Sequence, residues 1–514
     1  MLFKLVLIFV SACAASKILV VFPVPGENHR LLGSSVVATL LSAGIEVTYV
    51  TPYPKVPALS NLTYIDVSST LQEWKEDFEE LDLNKLPLTR RSLRASFQLG
   101  AEYARRVLEH QAVQNLMMDN SLSYDLVMVQ WFFSGLLAPL GTLFECPLIW
   151  YTAEDICWES MRLMHEEPSP IQSLDAHYDG GNLPFTVKER ALQVVYQTYS
   201  SLLRGYQMDF IDLPVCQEVY KRALVNRGHM MLAYKEVVRN ASLMLVNSHP
   251  PLGQALALPA NVVYIGGHHM NLLLKPLPKS FQMFMDKAKN GVIFVDLGPR
   301  VNSKNIPRQM MTSLLQMFED LEVVVLWRLA GRLEYVPKNI QLLERAPRLS
   351  ILCHNNTVGL VSDGSITSLM DAVYCGIPVV MSPLVGDQFL NAQLADRRGF
   401  GIRVDLTDHF AWKLQEAVIE IIRNDSYRRN VQAASRAFKH RLHPARAAML
   451  HHIQAVIEGY TVYLKSHAVH LSPLERYHLD ICLSVVLMLW FLSKVLKIVK
   501  IYVQDVVDYK KKYS

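Results

Sequence analysis

The chain has 514 residues, more than one ordinary hydrophobic core contains, so at least two domains are expected. A hydrophobic content of 51% is high for a soluble protein and indicates a membrane-embedded segment. The net charge is only +4, and no long basic run precedes the C-terminal tail, so the composition argues against a protein that binds nucleic acid.

The first fifteen residues have the pattern of a secretory signal peptide. Lys4 is followed by an apolar run at residues 5–10 and by small residues up to Ala15, where cleavage is expected. The alternative is that this run is the first strand of the fold, but a better strand begins directly afterwards, at residues 18–22. Entry into the secretory pathway makes four sequons available for N-glycosylation: Asn61, Asn240, Asn355 and Asn424.

The segment after the signal peptide is predicted to fold as strand, loop, helix and strand, with the helix at residues 30–43 and the second strand at residues 47–51. His29 ends the loop that follows the first strand. Because the pKa of histidine lies near neutrality, a histidine here can remove a proton from a hydroxyl, which makes His29 a candidate general base. The alternative is a solvated histidine that caps the following helix.

The rest of the first half contains two long helical patterns, at residues 88–118 and 185–234, and two further strands, at residues 124–130 and 242–249. Both helical patterns are rich in Leu, Met and Tyr. Such side chains can line a pocket for a lipophilic ligand, or they can belong to an ordinary core, and the sequence leaves both interpretations open.

The second half begins with a strand at residues 291–298 and contains the most informative stretch of the chain. There, strand 358–362 ends at Asp363 and is followed by helix 365–374 and by a second buried strand at residues 377–381. This pattern predicts a βαβ unit with a turn of small residues between strand and helix. Backbone N–H groups and the positive end of the helix dipole can hold a phosphate at such a turn, so nucleotide binding is expected here.

The stretch from 345 to 406 resembles the donor-binding signature of the UDP-glycosyltransferases, the membrane-bound glucuronosyl- and glucosyltransferase family of animals, and is insect-like in type. The residues in register with the family pattern are Pro347, His354, Gly364, Ser368, Gly376, Pro378, Pro383, Asp387, Gln388 and Asn391. A chance match over so many fixed positions is very improbable, and the resemblance extends over nearly the whole chain.

The departures from the family pattern fall on positions that contact the nucleotide. The resemblance places Arg345 where a Trp stacks on uracil, and Arg348 where a Gln is usual. Asp363 and Ser365 replace the His and the second Gly of a His-Gly-Gly turn, and Asp371 replaces a Glu.

The resemblance implies an α/β fold of two facing Rossmann-like domains, the GT-B type, followed by a C-terminal transmembrane helix. It also implies transfer of a sugar in the cleft between the domains, with inversion at the anomeric carbon. The expected boundaries are a signal peptide at 1–15, an acceptor-binding domain at 16–255, a linker at 256–290, a UDP-sugar-binding domain at 291–470, a transmembrane helix at 480–503 and a cytosolic tail at 504–514.

The resemblance assigns His29 as the base that activates the acceptor. A carboxylate usually supports this histidine, but Gln130 occupies that position; a neutral amide can orient an imidazole, yet it does not stabilise the imidazolium that forms. On the donor side, the resemblance assigns Asp387 and Gln388 to the sugar hydroxyls and Asp371 to the ribose.

Five residues are expected near the donor phosphates. The resemblance places Gly364, Ser368 and His354 around them, and it directs the end of the first strand of the second domain, with Asp296 and Gly298, toward the pyrophosphate. Neither a metal nor a cofactor is expected, because helix dipoles and N–H donors stabilise the departing UDP in this fold type, and the UDP-sugar is a co-substrate.

The substituted donor site also supports a second hypothesis, a catalytically degenerate family member that binds a lipophilic ligand or partners another transferase. Asp296 and Asp363 would each face a diphosphate, and a like-charge contact at about 4 Å costs about 4 kcal/mol at an effective dielectric near 20. Arg345 and Arg348 compensate for this cost if they pair with the two acids or reach the phosphates. A dinucleotide oxidoreductase is excluded because the loop after the first strand contains only Gly26.

The end of the chain predicts a membrane anchor. Residues 480–503 are long and apolar enough to span a bilayer, although an interfacial helix is the alternative. Three lysines near its end can snorkel toward the cytosol: Lys494, Lys497 and Lys500. Lys511 and Lys512 stand fourth and third from the end, which matches a dilysine retrieval signal. A single-pass type I protein of the endoplasmic reticulum membrane with lumenal catalytic domains is therefore expected.

The expected partners are a UDP-sugar, a small lipophilic acceptor and the membrane, with no nucleic acid; homo- or hetero-oligomers stay open. Five cysteines lie between the signal peptide and the membrane segment: Cys146, Cys157, Cys216, Cys353 and Cys375. Their spacing fits no zinc pattern and their number is odd, so free buried thiols are expected.

Overall fold

The computed structural model describes residues 15–54, 60–72, 92–166, 175, 185–230, 233–271, 274–344, 347–465, 471, 473–476 and 478–513. The predicted signal peptide, apart from Ala15, and Arg345 lie outside the described residues. The chain divides into two compact units, Met1–Leu464 and Lys465–Ser514, which are described in turn.

The first unit contains a seven-stranded parallel sheet in its N-terminal half, with the strand order β3-β2-β1-β4-β5-β6-β7. Every residue of β4, β5 and β6 is buried, as expected for strands covered by helices on both faces. The strands are β1 Lys17–Val21, β2 Glu46–Thr51, β3 Leu62–Asp66, β4 Leu126–Trp131, β5 Leu148–Thr152, β6 Leu243–Val246 and β7 Val262–Tyr264.

A six-stranded parallel sheet follows, with the order β10-β9-β8-β11-β12-β13. Its strands are β8 Val292–Asp296, β9 Val324–Arg328, β10 Ile340–Leu343, β11 Thr357–Ser362, β12 Val379–Met381 and β13 Gly401–Arg403.

The strand order reverses between β1 and β4 in the first sheet and between β8 and β11 in the second. Ligands of parallel α/β sheets bind beyond the carboxyl ends of the strands at such points. The two sheets confirm the predicted α/β fold class.

Helices cover the faces of both sheets. In the first unit they are α1 Glu27–Ser42, α2 Leu93–Glu109, α3 Gln111–Met118, α4 Pro139–Leu143, α5 Trp158–Leu163, α6 Val187–Tyr206, α7 Leu213–Asn226, α8 Tyr234–Arg239, α9 Lys279–Asp286, α10 Arg308–Glu319, α11 Arg348–Leu352, α12 Ile366–Cys375, α13 Gln388–Arg397, α14 Phe410–Arg423, α15 Asp425–Lys439 and α16 Ala445–Ile457. Helix α12 ends at Cys375, one residue beyond the predicted end, because Gly376 takes the left-handed conformation (φ 71°) that terminates a helix.

Three helices differ from the sequence-based expectation. Helix α1 begins at Glu27, so His29 lies in its first turn and not in the preceding loop. Helix α9 lies in the predicted linker, where its apolar residues, including the buried Met285, pack on the second half of the unit. Helix α16 shares a hydrophobic cluster with β1 and α1 of the first sheet, through Met449, Ile453 and Val456. The domain boundaries themselves stay predictions.

The cysteine prediction is wrong for two residues. Cys353 and Cys375 form a disulfide, with their Cα atoms 4.8 Å apart. The first follows the last turn of α11 and the second ends α12, so the packing of these two helices brings together thiols that are 22 residues apart in sequence. The spacing alone did not reveal this packing. Cys146, Cys157 and Cys216 are free thiols, as expected.

The second unit contains two described helices, α17 Pro473–Arg476 and α18 Leu479–Tyr513. Within α18, the segment Leu479–Tyr509 has 31 residues and is apolar enough to cross a membrane. A helix rises about 1.5 Å per residue, so this segment exceeds the roughly 30 Å of a bilayer core. A C-terminal apolar helix is therefore present as predicted, and it is longer than the predicted 480–503 span.

Candidate active site

A cleft of about 810 Å³ is bordered by loops that follow the strands of both sheets. The first sheet contributes the start of α1, with His29, and Phe132 after β4. The second sheet contributes the loops after β8, β11 and β12. Thr367 Oγ1 donates a hydrogen bond to Asn28 Oδ1 at 3.0 Å, which joins the two halves at the edge of the cleft. The carboxyl ends of the strands at the two points where the strand order reverses therefore border one cavity.

His29 is half-buried in this cleft and is held by Gln130, the buried side chain at the end of β4. Gln130 Nε2 lies 2.6 Å from His29 Nδ1. Because an amide nitrogen only donates, Nδ1 accepts, and the neutral ring carries its proton on Nε2. Gln130 Oε1 is buried and has no hydrogen-bond partner among the described residues. Rotation of the amide by 180° would place Oε1 on Nδ1, move the ring proton there and leave Nε2 as a base.

The environment of His29 disfavours its charged form. Burial, and secondarily the positive charge of Arg300, lower the pKa of His29 to about 4. The imidazole is therefore neutral at pH 7. The ring of Phe132 packs edge-on against it, with centroids 6.4 Å apart, and Val24, Leu32 and Leu71 add apolar surface to the cleft. The cleft therefore combines a neutral imidazole with apolar surface.

Asp363 lies in the turn between β11 and α12, where the sequence predicts phosphate binding. Its Oδ1 accepts hydrogen bonds from Ser365 N–H at 3.0 Å and from Ser362 Oγ at 3.2 Å. Its Oδ2 accepts from Gln388 Nε2 at 2.8 Å. Burial, and next the charge of Asp296, raise the pKa of Asp363. The Asp363 carboxyl group therefore already accepts a hydrogen bond from one of the N–H groups at the start of α12, that of Ser365.

Asp387 and Gln388, the residues predicted to bind sugar hydroxyls, line the cleft at the start of α13. Asp387 Oδ2 accepts from Asn391 Nδ2 at 2.8 Å, and burial together with the charge of Asp363 raises the pKa of Asp387 to about 6. Gln388 Oε1 accepts from the N–H groups of residues 384 and 385 at 2.8 and 3.0 Å. Both ends of the Gln388 amide are thus bonded within the protein, and a sugar contact by either residue stays a prediction.

Arg348 belongs to a buried ion-pair cluster outside the residues that line the cleft. Its Nε lies 2.7 Å from Asp371 Oδ2, and its Nη1 lies 2.9 Å from Ser368 Oγ and 3.8 Å from Asp296 Oδ2. Arg328 pairs with Asp296 at 2.8 Å through both Nε and Nη2. Burial opposes ionisation of Asp371, but the interactions with Arg348 and His269 together outweigh it and lower the pKa of Asp371. Arg328 and Arg348 therefore neutralise Asp296 and Asp371. Pairing with acids was one of two roles expected for Arg348, and contact with the phosphates was the other.

The positions of several predicted donor-site residues differ from the expectation. His354 precedes β11, whereas the turn predicted to bind phosphate follows β11 at Asp363. A six-residue strand spans roughly 20 Å, so His354 and this turn lie at opposite ends of the strand. His354 Nε2 lies 3.0 Å from Asp286 Oδ1 and 3.1 Å from Gln282 Nε2. His354 therefore does not line the described cleft, and its contact with phosphates stays a prediction. Five further residues do not line the described cleft: Asp296, Gly298, Gly364, Ser368 and Asp371. Gly364 holds the turn open with φ 81°, and Ser365 lines the cleft.

The loop between β8 and α10 contributes two basic residues that the sequence analysis missed. Arg300 and Lys304 line the cleft, and its described lining contains no other arginine or lysine. Both residues follow β8, a buried strand next to the point where the strand order reverses, by four and eight residues. This position indicates a residue of the ligand cleft, but only once the strand order is known.

Comparison with known proteins identifies the class. The chain matches the UDP-glucoronosyl and UDP-glucosyl transferase family over residues 28–513. It therefore belongs to this family, as the resemblance implied, and is a glycosyltransferase by class. Insect UDP-glucosyltransferases are among its relatives. It is 27% identical over 441 residues to UDP-glucosyltransferase 2 of Dactylopius coccus, covering 84% of this chain and 82% of the relative. It is 24% identical over 452 residues to a rat 2-hydroxyacylsphingosine 1-beta-galactosyltransferase, covering 84% and 78%.

Solved structures show the same GT-B fold. A Polygonum tinctorium UDP-glucosyltransferase capable of glucosylating indoxyl superimposes with a TM-score of 0.57 at 16% identity, covering 87% of this chain and 99% of that one. Medicago truncatula UGT71G1, complexed with UDP-glucose, superimposes with a TM-score of 0.55 at 15% identity, covering 86% and 98%.

Proposed function

We propose that this protein transfers a hexose, glucose or glucuronate, from a UDP-sugar to a hydroxyl of a small lipophilic acceptor, with inversion at the anomeric carbon. The observation that carries the proposal is the single cleft into which the first sheet presents His29 and the second presents Asp363, Asp387 and Gln388. Family membership supplies the donor class, UDP-sugars.

His29 is proposed to act as the general base. The acceptor oxygen attacks the anomeric carbon from the face opposite the UDP, a new C–O bond forms, the bond to the UDP oxygen breaks, and the acceptor proton moves to His29 Nε2. This step requires the Gln130 amide to turn its Oε1 toward Nδ1, because the ring must present a free Nε2 lone pair. Neither Gln130 nor Arg300 stabilises the imidazolium, so we expect a slow base.

The test is turnover by the full-length chain in detergent. UDP release is followed with UDP-glucose, UDP-glucuronate and UDP-galactose against a panel of phenols and steroid alcohols. We expect one donor to support acceptor-dependent UDP release, and we expect His29→Ala to reduce kcat at least about a hundredfold. His443→Ala is the matched control, because His443 is exposed and does not line the cleft. Equal activity of the two variants would refute the role of His29.

The apolar helix Leu479–Tyr509 supports a membrane-anchored location. We further propose a type I orientation in the endoplasmic reticulum, with the cleft on the lumenal side and the lysines that follow residue 493 toward the cytosol. Asn240 is an exposed sequon, so lumenal exposure predicts a glycan on it. Sensitivity of that glycan to endoglycosidase H, lost in Asn240→Gln, tests both orientation and compartment; a protein without any glycan would contradict them.

A second candidate is a catalytically degenerate member that binds a lipophilic ligand or a partner transferase. It is favoured by the carboxyl groups of Asp363 and Asp387, which lie where the donor is expected, and by the absence of a carboxylate hydrogen-bonded to His29 among the described residues. The two functions differ in one observable, since the degenerate protein would bind the acceptor-like ligand without binding UDP.

A further inference from the structure

Of the two arginines expected to neutralise a donor diphosphate, Arg345 lies outside the described residues and Arg348 is engaged elsewhere. Arg348 is bonded to Asp371 and Ser368 and does not line the cleft. Arg300 and Lys304 do line it, from the loop between β8 and α10. Arg300 is half-buried and close enough to His29 to lower its pKa, whereas Lys304 is exposed. Arg300 therefore carries positive charge toward the reacting end of the cleft.

Hydrogen bonds within the loop fix the backbone of both residues. Asn305 Nδ2 donates to the carbonyl oxygen of Arg300 at 2.6 Å. Asn302 Oδ1 accepts from the N–H of Lys304 at 2.9 Å and from that of Asn305 at 3.2 Å. At the start of the loop, the N–H of Gly298 donates to Asp296 at 3.1 Å. The two basic side chains therefore project from a backbone that is already ordered before any ligand arrives.

The turn at the start of α12 is less suited to a phosphate than the sequence suggested. The Asp363 carboxyl group accepts the N–H of Ser365 that a phosphate oxygen would otherwise accept. A phosphate at that turn would also meet the negative charge of Asp363. The diphosphate therefore needs another source of positive charge in the same cleft.

We propose that Arg300, assisted by Lys304, binds the diphosphate of the nucleotide donor and neutralises the charge that develops on the departing UDP. This inference rests on the proposed function, because it assumes a UDP-sugar donor. A guanidinium can bind two phosphate oxygens at once, and its fixed charge acts on the leaving group as the glycosidic bond breaks. The family pattern does not assign either residue.

The experiment is calorimetric titration of the full-length chain in detergent at pH 7.5 with uridine and with UDP. Arg300→Met is expected to weaken UDP binding by about 10-fold to 100-fold, the range of a lost charge-assisted bond, while uridine binding is unchanged. Arg300→Lys should retain part of the UDP affinity. Lys304→Met should cost only about threefold, because the side chain is exposed. Arg436→Met, an exposed substitution on α15, is the matched control and should change neither titration.

The outcomes separate this inference from the proposed function. UDP binding by the wild type that is unchanged in Arg300→Met overturns the role of Arg300 and leaves the proposed function standing. An equal loss of uridine and UDP binding also overturns it, because Arg300 would then shape the cleft and not bind phosphate. No UDP binding by the wild type up to millimolar concentration overturns both. Loss of UDP binding alone supports the inference.

Discussion

Gln130 Nε2 donates a hydrogen bond to Nδ1 of His29 across 2.6 Å, and this contact sets the tautomer of the only histidine in the described cleft lining. With this amide orientation the proton sits on Nε2, and the ring is a donor toward the cleft. With the opposite orientation the ring is an acceptor and can serve as a base. The chemistry of the cleft therefore depends on which way one amide points.

Replacement of Gln130 by glutamate should increase the rate of transfer. A carboxylate accepts from Nδ1–H only, so it fixes the productive tautomer and stabilises the imidazolium. We expect Gln130→Glu to raise kcat about tenfold or more with little change in KM, and Gln130→Met to lower it. Steady-state kinetics with the best donor and acceptor provide the measurement. A lower kcat in Gln130→Glu, with unfolding unchanged, would contradict the assigned role.

His29 should stay neutral in mildly acidic solution. Burial, and then the charge of Arg300, lower its pKa to about 4, so at pH 5 its ring remains unprotonated while an ordinary histidine is mostly charged. Diethyl pyrocarbonate modifies the neutral form of a histidine side chain and not the protonated form. The difference in modification rate at pH 5 between the wild type and His29→Ala should therefore be measurable. A His29-dependent rate that falls with a midpoint near pH 6.5 would show that the pKa is not lowered.

Asp363→Asn should strengthen donor binding at neutral pH. The substitution keeps an oxygen for the Ser365 N–H and removes the negative charge from the cleft, so we expect about tenfold tighter binding of UDP-glucose. In the wild type the raised pKa values of Asp363 and Asp387 mean that both acids take up protons at higher pH than usual. Binding of UDP-glucose should therefore strengthen as pH falls toward the pKa of Asp387, about 6, and less so in Asp363→Asn. Identical pH profiles for the two proteins would contradict this assignment.

Removal of Arg348 should destabilise the fold. Arg348→Met leaves Asp371 buried without its 2.7 Å partner, which typically costs about 3–5 kcal/mol. The double variant Arg348→Met/Asp371→Leu also removes the unpaired charge of Asp371, so it should recover most of the lost free energy of unfolding. Urea unfolding of both variants, with Arg436→Met as the exposed control, provides the comparison. Equal stability of Arg348→Met and Arg436→Met would show that the buried pair contributes nothing.

Much of the fold was predictable because its strands are continuous apolar runs and its helices end at clear signals, such as Gly376 after α12. Helix α9 was missed because its eight residues show too short a pattern to distinguish from a linker. The start of α1 was placed late because Gly26, Glu27 and Asn28 resemble a loop, although Glu27 is favourable in the first turn of a helix.

The site was predictable only in part, because a sequence motif does not reveal which neighbouring groups are paired. Gln130 beside His29 and Asp387 in the cleft were found by position in the pattern. The position of His354 outside the cleft was not foreseen, because the motif does not show which end of β11 borders the cleft. Arg300 and Lys304 were missed because their position in one cleft with His29 requires the relative placement of two sheets that are distant in sequence.

The most direct test of the central claim is the stereochemistry of a product. The full-length chain is incubated with a UDP-α-linked hexose and an acceptor from the panel, and the anomeric coupling constant of the glycoside is read by NMR. Inverting transfer with His29 as base predicts a β-glycoside from the wild type and from His443→Ala, and no product from His29→Ala. An α-glycoside, or equal product from His29→Ala, would contradict the mechanism proposed for this cleft.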